Sequence, residues 1–66
     1  MKITYDKIAD ALYIYLKKSK VSETMQVNAD TFIDIDKYGK LLGIEILNAS
    51  HQIPKEKLLK TTTSTI

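Results

Sequence analysis

Between Lys2 and Leu47 apolar and polar residues alternate in short runs, the period-two pattern of half-buried strands. Lys2 to Tyr5 reads as a first short strand with Ile3 and Tyr5 on one side. Ala11 to Lys17 carries the pattern most clearly. Leu12, Ile14 and Leu16 point one way, and Ala11, Tyr13, Tyr15 and Lys17 the other. Val21 to Val27 sets Val21, Glu23, Met25 and Val27 against Ser22, Thr24 and Gln26. Thr31 to Asp36 sets Ile33 and Ile35 opposite Phe32, Asp34 and Asp36. Leu41 to Leu47 sets Leu42, Ile44 and Ile46 opposite Leu41, Gly43, Glu45 and Leu47.

The breaks between these runs carry turn chemistry. Asp6 suits a cap, its carboxylate accepting the free amides of a helical turn or tight loop over Lys7–Asp10. Lys18-Ser19-Lys20 is a polar break of hairpin length, and Asn28-Ala29-Asp30 can bond its own backbone. Gly39 in Asp36–Lys40 is the natural left-handed position of a hairpin. Asn48-Ala49-Ser50 ends the sheet, and Pro54 opens a short helix over Lys55–Lys60, held by Leu58 and Leu59. Residues 61–66 read as a frayed tail after a single domain over residues 1–60.

The expected fold class is α+β, mostly β: an antiparallel meander of about five short strands, a helical turn near residues 6–10 and a short C-terminal helix. Short connections imply that neighbours in sequence are neighbours in the sheet. One face is then the core: Leu12, Ile14, Leu16, Met25, Val27, Ile33, Ile35, Leu42, Ile44 and Ile46. The other mixes Tyr13, Tyr15, Phe32, Leu41 and Leu47 with Thr24, Gln26, Asp34 and Glu45. That half-apolar, tyrosine-rich face is the expected interface with a partner or a second subunit.

Composition sharpens this expectation. A chain of 66 residues hides only about 60% of the surface its unfolded form exposes. Small scaffolds compensate with disulfides, a metal or self-association. There is no cysteine and a single histidine, His51, which leaves self-association as the favoured route. The formal charge is only +2 and every basic residue is a lysine, so nucleic acid is an unfavoured partner. The lysines at 17, 18, 20, 37, 40, 55, 57 and 60 are spread over turns and ends and read as a solvated surface. The longest apolar stretches are a few residues, no signal-peptide core follows Met1, and the cytoplasm is the expected compartment, with no membrane association.

The run Tyr5-Asp6-Lys7-Ile8-Ala9-Asp10-Ala11-Leu12-Tyr13-Ile14 resembles the opening motif of the DUF2283 family, Y-D-x-x-A-D-A-L-Y-I. The second half is similar too: Asp34-Ile35-Asp36 before a turn glycine, then Leu42-Gly43-Ile44-Glu45-Ile46-Leu47-Asn48-Ala49-Ser50 against G-I-E-I-L-x-A-S. The resemblance covers residues 2–50; Ile8 departs from the glutamate common there, and the segment after Ser50 lies outside the pattern. It implies a small prokaryotic domain of unknown function, with no catalytic residues attached. Through gene context, it also implies an alternative: an antitoxin-like regulator that binds a small ribonuclease-type toxin.

Candidate chemistry is sparse. Asp6, Asp10, Asp34, Asp36 and Glu45 cluster around the motifs, and Asp34 with Glu45 forms the best pair for a divalent cation. The plainer reading is capping for Asp6, turn chemistry for Asp10 and Asp36, and lysine pairing for Asp34 and Glu45. Tyr13 and Tyr15 suit interface packing better than base stacking, because no arginine accompanies them and Asp34 and Glu45 would repel phosphate. Ser50 and His51 are adjacent, a poor geometry for a nucleophile and its base. The expectation is therefore a self-associating protein-interaction module without catalytic activity or cofactor. Its interface is drawn from Tyr13, Tyr15, Phe32, Leu41 and Leu47, and its structural motif residues are Asp6, Asp10, Gly39 and Gly43. A carboxylate–metal hydrolase on Asp34 and Glu45 is the second alternative.

Overall fold

The five alternating segments pair into one antiparallel sheet of β1 (Lys2–Asp6), β2 (Ala11–Tyr15), β3 (Glu23–Asn28), β4 (Thr31–Ile35) and β5 (Leu41–Leu47). A 3-10 turn (Ala49–His51) and a helix α1 (Lys55–Thr62) follow. The computed structural model describes residues 1–62. The α+β, mostly β class with a short C-terminal helix is therefore as expected.

The strand order is not. It runs β1-β2-β5-β4-β3, so the last strand lies at the centre and β2 neighbours β5 rather than β3. Strands β3, β4 and β5 do form a meander, and β2 lies along its far side in a Greek-key arrangement. Loop length had suggested adjacency, but three strand spacings come to only about 14 Å, and the seven residues between β2 and β3 reach about 23 Å. A short loop suffices to skip two strands along one end of the sheet.

Three strands are shorter than the alternation suggested, β4 by the single residue Asp36, which belongs to the following turn. Both Leu16 N and Lys17 N donate to Leu42 O, at 2.8 and 3.2 Å, and this shared acceptor turns the chain out of the ladder after Tyr15. β3 accordingly starts at Glu23 instead of Val21. At the C-terminus α1 runs on through Thr61 and Thr62, two residues expected in the tail; residues 63–66 of that tail lie outside the described residues. The Pro54 carbonyl accepts from Lys57 N and Leu58 N and so starts the helix.

The core is smaller than the apolar face. α1 lies against β1 and buries Leu58 to 1% exposure, joining Tyr5, Leu12 and Ala49, with Ile3, Ile46 and Ile53 around them. Burying one leucine side chain contributes about 1.5–3 kcal/mol, a large share for so small a domain. Tyr5, Ala49 and Leu58 were absent from the expected core. Leu16, Met25 and Val27 were expected there and are exposed, Met25 at 44% and Val27 at 60%. The reason is that, among the described residues, no element packs over the β3 side, and Val27 is the extra residue of a bulge between Gln26 and Asn28.

The turns follow their side chains. Asp6 Oδ1 accepts from Ile8 N and Ala9 N at 2.9 and 3.1 Å, and Asn28 Oδ1 accepts from Asp30 N at 3.0 Å. Asp36, a buried carboxylate, accepts from Tyr38 N and Lys40 N at 2.8 and 2.9 Å. Those backbone donors, Lys40 first, hold its carboxyl below the usual range. Gly39 closes this hairpin at φ +78°. Open space surrounds the position where its side chain would stand, so only backbone conformation restricts it. Gly39→Val should therefore cost about 1 kcal/mol or more, read as a lowered urea midpoint with an unchanged slope. An unchanged midpoint would contradict the turn.

Candidate functional site

Two side-chain assemblies bring the motif residues together, one at an end of the sheet and one on its mixed face. At the end where β1 turns into β2 and β5 leaves the sheet, Asp10 sits at φ +53°, a turn conformation that aspartate tolerates. Its Oδ1 accepts from the Tyr5 hydroxyl at 2.6 Å and from Ser50 N at 3.0 Å, and its Oδ2 accepts from Ser50 Oγ at 2.7 Å. The Asp10 carbonyl also receives Ala49 N at 3.0 Å. These donors, Tyr5 first and then Ser50, hold the Asp10 carboxyl below its ordinary range, and His51 adds a smaller attraction. The same bond pushes the Tyr5 hydroxyl up. Asp10 was read as a turn residue; it also ties the exit of β5 back to the first hairpin. Beside it Asn48, at φ +51°, donates from Nδ2 to Asp30 Oδ1 at 3.0 Å. Ser50 Oγ donates to Asp10 here, and a carboxyl held below its ordinary range is a weak base for activating a hydroxyl, so the bond reads as a tether.

On the mixed face, the ladder sets Tyr15, Gly43, Asp34 and Thr24 in one row, and Tyr13, Glu45, Phe32 and Gln26 in the next. Tyr13 leans across Gly43 and donates its hydroxyl to Asp34 Oδ2 on the far side of β5. Thr24 Oγ1 donates to Asp34 Oδ1 at 2.6 Å. The rings of Tyr13 and Tyr15 are 4.3 Å apart at their centroids and tilted by 48°. Asp34 and Glu45 share this face as expected, but one register apart: Asp34 faces Gly43 and Glu45 faces Phe32. Both Asp34 oxygens are engaged by hydroxyls, in place of the expected lysines. Among the described residues no three histidine, cysteine or acidic side chains are placed to hold a metal ion.

The sequence alone did not identify Tyr5, Ser50 and Thr24 as partners of the two aspartates. Ser50 and Tyr5 end and begin the two motifs, and that placement was the available signal. Both motifs converge on one junction, where Asp10 bonds Tyr5 and Ser50. The profile of DUF2283, a protein of unknown function, matches residues 2–50.

The chain belongs to the DUF2283 family. It is also similar to an uncharacterised protein of Methanocaldococcus jannaschii, 42% identical over 62 residues, or 91% of this chain and 53% of that protein. The chain thus spans about half the length of the curated relative it matches. No solved structure matches it. For this DUF2283 chain the motifs account for architecture: Asp6 makes the first turn, Asp10 and Ser50 close the sheet's end, and Gly43 makes room for Tyr13. Among the described residues, no helix is long and apolar enough to cross a membrane.

Two predictions test the mixed face. A methyl group at Gly43 would lie 2.5 Å from the Tyr13 hydroxyl oxygen and 2.8 Å from two ring carbons. Gly43→Ala should destabilise by about 1–3 kcal/mol, and by much less in a Tyr13→Val background, as measured by a double-mutant cycle in urea. Additive effects would show that the ring does not rest there. Burial first, then the Asp34 hydrogen bond and charge, push the Tyr13 hydroxyl up to about 12 from 10.0. The folded state holds this proton more tightly than the unfolded chain does. Its contribution to stability is therefore complete below pH 10 and lost as pH rises towards 12. Phenolate absorbance should show a late step near pH 12 that Tyr13→Phe removes; an identical curve for the variant would refute the assignment.

Proposed function

We propose that this DUF2283 chain is a non-catalytic self-associating module whose apolar sheet face docks on the same face of a second copy. One observation carries the reading. The row Ile3, Ile14, Ile44, Ile33 and Met25 crosses all five strands on one face, and α1 packs over the β1 side of it. Ile14, Ile33 and Ile44 are only half-buried, and Met25 is exposed. A stable domain covers such a face with a second layer. The row carries no charge, so two copies related by a twofold axis can meet on it without like charges facing each other. The molecule's larger extents, 36 and 26 Å, leave room for the roughly 800 Å² per partner that a stable interface buries.

The mixed face suits this role less well. Tyr13, Tyr15, Phe32, Leu41 and Leu47 share it with Lys2, Asp34 and Glu45, whose desolvation would oppose docking. A hydrolase on Asp34 and Glu45 is disfavoured by the two hydroxyls that already occupy the Asp34 oxygens. Light scattering at about 100 μM, well above a micromolar Kd, should give a dimer or larger. Ile33→Lys should return it to a folded monomer, because an ammonium buried in an apolar interface lacks a partner, whereas Phe32→Lys should leave the assembly intact. A stable wild-type monomer would overturn the proposal, and dissociation by Phe32→Lys alone would move the interface to the mixed face.

A further inference from the structure

The other end of the sheet holds chemistry that the fold does not use. There the chain leaves β2 after Leu16 and Lys17 have both bonded Leu42 O, and it crosses the ends of β5 and β4 to enter β3. Between this crossover and the ends of β1 and β2 lies a cavity of about 510 Å³. Buried Leu42 and half-exposed Leu16 make its apolar floor, and Tyr15 makes an aromatic wall. The tilted Tyr13 ring packs against Tyr15 and lines the cavity with it. Three ammonium groups, from Lys2, Lys17 and Lys18, stand at the rim, and no acidic side chain lines the cavity among the described residues. Lys2 Nζ lies 5.8 Å from the centre of the Tyr15 ring, so cation and aromatic surface are presented together. The carboxylates nearby are committed elsewhere: Asp34 to Tyr13 and Thr24, Asp36 to its own turn. Lys17 is close enough to Asp36 to help hold that carboxyl low, which leaves Lys2 and Lys18 as the freer cations of the rim.

We propose that this cavity binds a small anion bearing a flat aromatic group, with a nucleoside monophosphate as the fitting class. The phosphate would lie among the lysines and the base against Tyr15, a face that stacks on any base. Inorganic phosphate would use only the rim, and a neutral nucleoside only the wall and floor. The site lies at the end of the sheet and meets the apolar face proposed for self-association only at Leu16 and Leu42, and its test reads ligand binding rather than oligomeric state.

The test is a titration of the isotope-labelled full chain, followed by amide NMR at low ionic strength, with adenosine 5′-monophosphate, adenosine and inorganic phosphate in turn. The monophosphate should move the amides of Lys2 and of residues 15–19 saturably, with a Kd on the order of 1 mM or tighter, weakened by added salt. Adenosine and phosphate should each bind about tenfold more weakly. Lys2→Gln combined with Lys18→Gln, two exposed substitutions that remove the charge and keep a polar side chain, should weaken the monophosphate about tenfold and leave the amides of Ile44, Glu45 and Ile46 unmoved. Tyr15→Leu should weaken the monophosphate but not phosphate. No saturable shift up to about 10 mM would overturn the proposal. So would equal affinity for adenosine or for phosphate, or indifference to the lysine pair.

Discussion

The sheet depends on its last strand. β5 is the final strand in the chain and the central one in space, paired to β2 along Ala11–Tyr15 and to β4 along Thr31–Ile35. Without it, the domain is two separate hairpins, β1–β2 and β3–β4, and an isolated hairpin is marginal in water. Inserting β5 joins them, lines up the apolar row on one face and brings Gly43 beneath Tyr13. Its exit then sets Ala49 and Ser50 against Asp10 and leads to α1, whose Leu58 completes the core. Side chains thus reinforce the same joint at two places: Tyr13 reaches over β5 to Asp34, and Asp10 holds the strand's end.

The two ends of the sheet differ for a reason that lies in the chain. One end gathers the β1–β2 turn, the β3–β4 turn and the exit of β5, and its aspartates and asparagines face backbone amides and hydroxyls. Asp10, Asp30 and Asn48 lock these three segments together. At the opposite end the crossover after Tyr15 carries lysines and serine, which have no such tie, and it passes the Asp36–Lys40 hairpin with Ser22 N donating to Ile35 O at 2.8 Å. One end is closed by short polar side chains. The other keeps a cavity rimmed with positive charge.

Most of the local structure was legible in the sequence because its determinants are local. Alternation located all five strands, and for β5 both ends, since the run Leu41 to Leu47 is bounded by the Gly39-Lys40 turn and by Asn48. Asp6, Asn28, Asp36 and Gly39 announced their turns by chemistry that acts within a few residues. Strand order is not local. The connection at 16–22 is long enough to reach either of two positions, and pairing energy decides between them. The core was overestimated for a similar reason: period two says which residues share a face but not what lies over it. Leu58 covers the β1 side, and Met25 is left uncovered. The bonds from Tyr5 and Ser50 to Asp10, and from Thr24 to Asp34, join residues that only the finished topology brings together.

The claim that β5 holds the sheet together is tested most directly by native-state amide hydrogen exchange. Exchange that requires opening both ladders should be slowest, so the amides of Ile44, Glu45 and Ile46 should outlast those of the outer strands β1 and β3. Asp10→Ala should speed β5 exchange and bring it closer to that of the outer strands, because the strand's exit is then untethered. Protection of β3 or β1 that equals or exceeds that of β5 would contradict the account.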